Sequence, residues 1–136
     1  MTNHTLTWKP VDAKFLEALL LATGGEGTAS LQDVLLMGDA LDGEVFELKE
    51  LEEALEKLLS IGFIGLEKNK LGLSPDFLQD YEQMTLQEGE DTESKPLEML
   101  LQQQPLQADK VAAVRESVLK KYKLRNYYQA YLEQYG

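Results

Sequence analysis

The sequence has no cysteine and only one histidine, His4, and these two shortages exclude several kinds of site. Without cysteine there are no disulfides, no thiolate nucleophiles and no cysteine-ligated metals. One histidine cannot build a zinc site alone, and no carboxylate stands three or four residues after it to help. His4 also lies near a chain end, where fraying is common. We therefore expect no metal site and no histidine-based catalytic triad.

Long hydrophobic runs are also missing. The longest apolar run covers residues 15–22 and is interrupted by Glu17, so it falls short of the roughly 18 apolar residues of a membrane span. The first ten residues lack the charged-then-apolar order of a signal peptide. A chain of 136 residues that is 43% hydrophobic can nevertheless bury a core. We expect a soluble, cytoplasmic protein with no membrane segment.

Carboxylates are abundant, but they do not suggest catalysis. Acid–base chemistry requires a carboxyl group whose pKa burial has raised, and no carboxylate lies in an apolar run that would bury it. The Gly24-Gly25-Glu26-Gly27 stretch lacks the Gly-Lys-Ser/Thr ending of a phosphate-binding loop. The sequence therefore predicts a protein that is not an enzyme and that has no cofactor.

Charge is distributed unevenly along the chain, whose formal net charge is −11. Residues 1–104 contain 7 Lys and Arg against 21 Asp and Glu, whereas residues 105–136 contain 6 against 3. The first part is therefore strongly acidic and the last part mildly basic. Such an imbalance bears on solubility and on the choice of partner rather than on the fold.

Hydrophobic periodicity divides the chain into predicted elements. Helices are predicted over residues 11–23, after the N-cap residue Ser30, and over residues 48–61. Alternation on either side of Lys68-Asn69-Lys70 predicts a β-hairpin, and Thr28-Ala29 could add a short strand. Ser74 and Pro75 then open a fourth helix. Residues 86–95 are polar and predicted to be an acidic linker between a domain at 1–85 and a helical extension at 96–136.

This order of elements resembles that of a winged helix-turn-helix domain. Residues 50–58 (ELEEALEKL) followed by Gly62-Phe63-Ile64 are similar to the third helix and first wing strand of many bacterial regulators. Leu73-Ser74-Pro75 resembles the exit from the wing in MarR-like and PadR-like proteins. The resemblance covers about residues 11–84. It implies a mainly α (α+β) fold in which a winged helix-turn-helix domain with a small β-hairpin wing precedes C-terminal helices.

The third helix is unlike that of a DNA-binding winged helix in its charge. Such proteins place this helix in the major groove and gain affinity by neutralising phosphates with Lys and Arg. In this chain the helix and its N-cap carry more acidic than basic residues, namely Glu47, Glu50, Glu52, Glu53 and Glu56 against Lys49 and Lys57. Duplex DNA is therefore disfavoured as a partner of this face.

Three groups of residues are candidate sites, and each has a purely structural alternative. Lys68, Asn69 and Lys70 at the wing tip are candidates for nucleic-acid contact, with a solvated turn as the favoured alternative. Glu47, Glu50 and Glu53 are a candidate acidic face for a basic partner, with a solvated helix face as the favoured alternative. The C-terminal residues Tyr122, Tyr127, Tyr128, Tyr131, Leu132 and Tyr135 are a candidate dimer or partner surface. Their alternatives are packing on their own domain and, with the neighbouring lysines, stacking on single-stranded nucleic acid.

The sequence as a whole favours a protein-association module, homodimeric through its C-terminal helices. The first alternative is a dimeric DNA-binding regulator that uses Lys68 and Lys70, with Lys49 and Lys57 as further contacts. The second is an acidic decoy that occupies a nucleic-acid-binding protein, in which case salt should weaken its hold on a basic partner.

Overall fold

A computed structural model describes residues 8–67, 70–88, 96–119 and 122–135. The elements follow in the order α1 (Pro10–Thr23), β1 (Thr28–Ala29), α2 (Leu31–Asp42), α3 (Leu48–Ser60), β2 (Ile64–Glu67), β3 (Lys70–Leu73), α4 (Pro75–Glu88), α5 (Pro96–Gln102), α6 (Ala108–Val114) and α7 (Leu124–Tyr135). A single π-helical stretch, Arg115–Leu119, continues α6. The mainly helical chain with a small antiparallel sheet confirms the predicted α+β class.

Local capping chemistry sets the predicted helix boundaries. The Ser30 hydroxyl accepts a hydrogen bond from the Asp33 amide at 3.2 Å, and the Ser74 hydroxyl accepts one from the Phe77 amide at 3.0 Å. Each serine thus satisfies an amide that the first helical turn leaves without a partner. Gly24 ends α1 in the left-handed conformation that glycine adopts without steric cost.

The three strands form an antiparallel sheet in the order β1-β3-β2. The central strand pairs Leu71 with Ala29 on one side and with Leu66 on the other. Gly72 leaves room for β1, because a Cβ atom there would approach the Gly27 carbonyl oxygen to 3.1 Å. The predicted hairpin and the predicted short strand at residues 28–29 therefore belong to one sheet.

A leucine- and phenylalanine-rich core lies between α1, α2, α3 and the sheet. Burying a side chain of this size stabilises the fold by roughly 1.5–3 kcal/mol. Its largest fully buried members are Phe15, Phe46, Phe77, Leu16, Leu19, Leu31, Leu35, Leu51, Leu55, Leu58, Leu71 and Leu101. The presence of Leu101 among them shows that residues beyond the predicted linker belong to the same core.

The helix α5 packs against both α1 and α4. Leu97, Leu100 and Leu101 are buried in the core, and the Trp8 indole donates a hydrogen bond to the Gln104 carbonyl oxygen at 3.0 Å. The helix α4 extends through Glu88, so the first three residues of the predicted linker at 86–95 are helical, which corrects that boundary. Residues 89–95 lie outside the described ranges.

The chain after residue 107 is helical, as the predicted extension at 96–136 requires, but it is irregular. α6 passes into the π-helical stretch, and α7 begins only after Lys123, which has a positive φ of 60°. The Lys123 carbonyl oxygen accepts a hydrogen bond from the Asn126 amide at 3.0 Å and so starts α7. We call residues 108–135 the C-terminal cover, because α6, the π-helical stretch and α7 all contact α3.

Candidate protein interface

The charged face of α3, which was expected to be solvated, is partly covered. Leu51, Leu55 and Leu58 point into the core. On the charged side Glu56 and Lys57 are also buried. Nothing in the sequence indicates their burial, because the chain supplies partners for both from distant segments.

Glu56 on α3 is held by Arg115 of the C-terminal cover. Arg115 Nε donates to Glu56 Oε1 at 2.7 Å, and Arg115 Nη2 donates to Glu56 Oε2 at 3.0 Å. These hydrogen bonds and the charge of Glu56 raise the pKa of the guanidinium further above its usual range. Two parallel bonds fix orientation as well as distance. The pair therefore docks the start of the cover on the outer side of α3.

The helix α7 is attached to α2 and to the loop between α2 and α3. The Tyr128 hydroxyl donates to the Phe46 carbonyl oxygen at 2.6 Å, and Gln32 Nε2 donates to Gln134 Oε1 at 3.2 Å. Burial, with Glu47 and Glu50 nearby, raises the pKa of Tyr128. Arg125 makes a weaker contact, with its Nη2 atom 3.9 Å from Glu52 Oε2. The basic end of the chain thus lies on its own acidic α3.

The predicted tyrosine surface is divided by this packing. Tyr122 and Tyr131 are buried within the chain, so their rings do not form an exposed surface. Tyr128 is partly buried, whereas Tyr127 and Leu132 remain 37% and 36% exposed. The side chain of Tyr135 lies outside the described part of the chain. Packing on the chain's own domain, the structural alternative, accounts for the buried members.

The predicted wing contacts are described only in part. Lys68 and Asn69 lie outside the described ranges, and Lys70 is exposed on β3. Lys49 is exposed as well. Lys57, which was a candidate phosphate contact, has its Nζ atom hydrogen-bonded to Asp12 Oδ2 inside the protein. That candidate is wrong, because a buried, paired ammonium cannot reach a phosphate without leaving its partner.

The Asp12–Lys57 pair joins α1 to α3 and was missed by sequence reasoning. The Lys9 amide also donates to Asp12 Oδ2, at 2.8 Å, and the Trp8 ring centroid lies 5.6 Å from Lys57 Nζ. A signal was present, because Asp12 lies three and four residues before Phe15 and Leu16, on the apolar stripe of α1. The expectation that no carboxylate would be buried in apolar surroundings was therefore wrong for Asp12.

An open cleft of about 610 Å³ lies beside the start of α1 and the loop between α2 and α3. Its lining carries five carboxylates and one ammonium group, which are those of Glu17, Asp42, Glu44, Glu50, Glu98 and Lys14. We call it the acidic cleft. Apolar side chains alternate with these charges, including Val11, Leu41, Val45, Tyr81 and Leu97. Burial raises the pKa of Tyr81, with a smaller effect from the charge of Glu17.

The single lysine of the cleft is fully engaged by the protein itself. Lys14 Nζ donates to Asp42 Oδ1 and to the Glu44 carbonyl oxygen, both at 2.8 Å. It also lies 4.7 Å from the centroid of the Phe46 ring. The hydrogen bond from Lys14 lowers the pKa of Asp42. Lys14 therefore neutralises Asp42, whereas Glu17 and Glu44 are exposed at the edge of the cleft.

The three residues predicted to form an acidic face do not make the same contacts. Glu47 and Glu50 cap α3, with the Glu47 amide donating to Glu50 Oε1 at 2.9 Å. Glu50 also lines the acidic cleft. Glu53 accepts a hydrogen bond from Lys9 Nζ at 3.1 Å. The structure therefore does not bring these residues together as one free face.

No protein-family model, no curated protein and no solved structure matches the chain. Among the described helices, none has the length and apolar character needed to cross a bilayer. In the described ranges there is also no group of three or more His, Asp or Glu residues placed to hold a metal ion.

Proposed function

We propose that this chain is a winged-helix protein that functions by associating with another protein, without catalysis. The order of helix, short strand, two helices, hairpin and helix supports the fold proposal. Its function has to be argued from its surfaces, since a fold of this kind serves many purposes.

One observation carries the proposal: the outer side of α3 is occupied by the C-terminal cover. A winged helix that reads duplex DNA inserts this helix into the major groove, which requires a free face. Here the cover contacts that helix, and Glu56 is paired with Arg115. Duplex binding would have to displace the cover and then bring carboxylates towards phosphates. Protein association requires neither step.

The net charge of −11 favours a partner other than a second copy of the same chain, because like charges repel. The homodimer through the C-terminal helices that the sequence favours is therefore kept as the alternative. Tyr127 and Leu132 are the large apolar side chains that the described part of α7 leaves exposed. Their helical positions lie on opposite edges of the buried stripe that contains Leu124 and Tyr131. They therefore offer two small contacts rather than one continuous surface.

Photo-crosslinking in cells tests association directly. A photoreactive residue would replace Val45 in the acidic cleft, Tyr127 on the cover, or Leu21, which is 53% exposed on α1 outside the cleft. We expect a discrete crosslinked protein from Val45 and none from the Leu21 control. The absence of a discrete product from both Val45 and Tyr127 would contradict the proposal.

Two measurements on the purified chain test the alternatives. Fluorescence anisotropy of a labelled random duplex at low salt should show no saturable binding. Saturable binding that weakens steeply with salt and falls in K68A/K70A would favour the DNA-binding regulator. Sedimentation velocity should give a monomer, and a dimer that dissociates in Y127S/L132S would instead establish the homodimer.

A further inference from the structure

We propose that the acidic cleft is the docking site for a basic amphipathic segment of the partner protein, in which Lys or Arg side chains flank an apolar side chain. This inference rests on the proposed association function and adds the chemistry of the partner.

The charges of the cleft define the first half of that chemistry. Among the described residues its lining has more carboxylates than ammonium groups, and the Lys14 ammonium is already bonded to Asp42. Glu17 and Glu44 are exposed at the edge of the cleft. Their charges are solvated while the site is empty and can meet a cation without prior rearrangement. Complementary charges of this kind speed association and reject acidic competitors.

The apolar lining defines the second half. Val45 is 38% exposed, although it lies within a mainly polar loop, and it faces the same cleft as the partly buried Leu41 and Tyr81. An apolar side chain entering between them would remove their surface from water, with a gain proportional to the area covered. The next residue, Phe46, is fully buried, so Val45 stands on a fixed segment of the loop. A purely charged ligand would leave this surface unused.

The chain already uses the same chemistry within its own fold. In the C-terminal cover, Val111 is buried on α6 while Arg115, one turn later, forms a bidentate pair with Glu56. A helix with basic and apolar side chains thus packs stably on an acidic helix of this protein. Among the described residues of the cover, none lines the acidic cleft.

The shape of the cleft favours a protein segment over a small molecule. Sites for small molecules usually enclose most of the ligand surface. Here Glu17, Glu44 and Val45 are exposed on the rim, and the site would cover one side of a ligand. A helix or an extended segment of a partner protein presents one side to such a site, while the rest of the partner remains in solvent.

The test uses the full chain and a fluorescein-labelled peptide with lysine and leucine at helical spacing, whose anisotropy reports binding. The matched probe has glutamate in place of each lysine. The site variant is E17K/E44K, and the control is E26K/E133K, which changes two exposed carboxylates outside the cleft and has the same net charge. A second pair compares V45S with L21S, which removes an exposed leucine elsewhere. Circular dichroism confirms that each variant is folded.

We expect saturable binding of the basic peptide and none of the acidic peptide. Binding should weaken about tenfold in E17K/E44K, since two ion pairs of the usual exposed strength become repulsive, and stay near the wild-type value in E26K/E133K. V45S should weaken binding more than L21S. Equal losses in the two charge variants would show attraction to net charge alone and would overturn the inference, as would no binding by the wild type. A neutral or acidic protein crosslinked at Val45 would overturn it too, while the association proposal would stand.

Discussion

The helices α1–α5, which we call the body, and the C-terminal cover are held in different ways. In the body, core leucines and phenylalanines such as Phe15 and Leu55 are fully buried, and the ends of α1 and α2 are closed by glycines. The cover has a π-helical stretch and a left-handed Lys123. A left-handed non-glycine residue costs of order 1 kcal/mol. We expect the cover to open at a lower free energy than the body.

Two ion pairs on neighbouring residues of α3 show the same difference between the body and the cover. Lys57 is paired with Asp12 of the body, and both side chains are buried. Glu56 is paired with Arg115 of the cover, whose side chain is 56% exposed. Water can solvate Arg115 when its pair with Glu56 breaks, because Arg115 is largely exposed. It cannot reach the buried Asp12–Lys57 pair in the same way. The two pairs should therefore differ strongly in what their loss costs.

The largest effect is expected for D12N, which keeps the shape of Asp12 but leaves the Lys57 ammonium without its counter-charge. Breaking a buried pair in this way costs about 3–5 kcal/mol, which would be measured as a lower urea midpoint. The control is D42N, which breaks the exposed pair with Lys14 and should cost far less. Equal losses in the two variants would show that the Asp12–Lys57 pair is not shielded from water.

The next effect is expected for G38A, which strains the contact between the body and the cover. An added Cβ atom would lie 2.5 Å from Phe46 Cε2, and the Phe46 carbonyl oxygen accepts the hydrogen bond of Tyr128. Overpacking should cost about 1–3 kcal/mol, against a gain of about 1 kcal/mol from the higher helix propensity of alanine.

Thermal unfolding of G38A would be compared with that of G65A, where nothing lies within 4 Å of an added Cβ atom. G65A should leave the melting temperature nearly unchanged. A melting temperature that rises in G38A would mean that the Phe46 ring moves aside and that only the gain in helix propensity remains, which would contradict the expected strain.

The same contrast explains how much of the structure the sequence could predict. Elements of the body follow from local rules: Ser30 and Ser74 cap the helices they precede, and Gly24 closes α1. The position of the cover depends on residues far apart in sequence, such as Arg115 and Glu56. A helix with alternating charges has the same pattern whether water or a distant segment faces it.

The candidate site shows the same limit. The acidic cleft collects residues from α1, the end of α2, the loop between α2 and α3, the start of α3, α4 and α5, and no short motif connects them. Glu50 was predicted as part of an acidic face, but its neighbours in the cleft, such as Glu17 and Glu98, come from other helices. The sequence shows that residues 1–104 are acidic and residues 105–136 basic. Composition does not show whether the basic part packs on the acidic part of the same chain or of another one.

A smaller effect is expected for Y122F, which removes a buried hydroxyl of the cover that has no hydrogen-bond partner among the described residues. At neutral pH the variant should be more stable by about 1 kcal/mol, since a buried hydroxyl without a partner is unfavourable. Burial also raises the pKa of Tyr122 above its usual value of 10.0. Above pH 10 the unfolded chain therefore loses this proton while the folded chain keeps it, and stability falls as the pH rises.

Urea unfolding at neutral and at alkaline pH measures both parts of this effect. The alkaline loss should be smaller in Y122F than in the wild type, and the residual loss belongs to Tyr81 and Tyr128, whose pKa values burial also raises. Y127F is the comparison, since Tyr127 is more exposed and its charge makes only the smaller contribution, after burial, to the raised pKa of Tyr122. If Y122F and Y127F were equally stable at every pH, the Tyr122 hydroxyl would have to be solvated.

The smallest effect is expected for R115A, which releases the cover from α3. More than half of the Arg115 side chain is exposed, so solvent screening limits the loss to about 1 kcal/mol or less. R125A is the control, because its weaker contact with Glu52 spans 3.9 Å. Hydrogen exchange measures the difference locally: amides of α6 should exchange faster in R115A than in R125A, while those of α1 should be unchanged. Faster exchange throughout the chain would mean that the cover and the body unfold as one unit. A cover that opens independently would leave the amides of α1 protected.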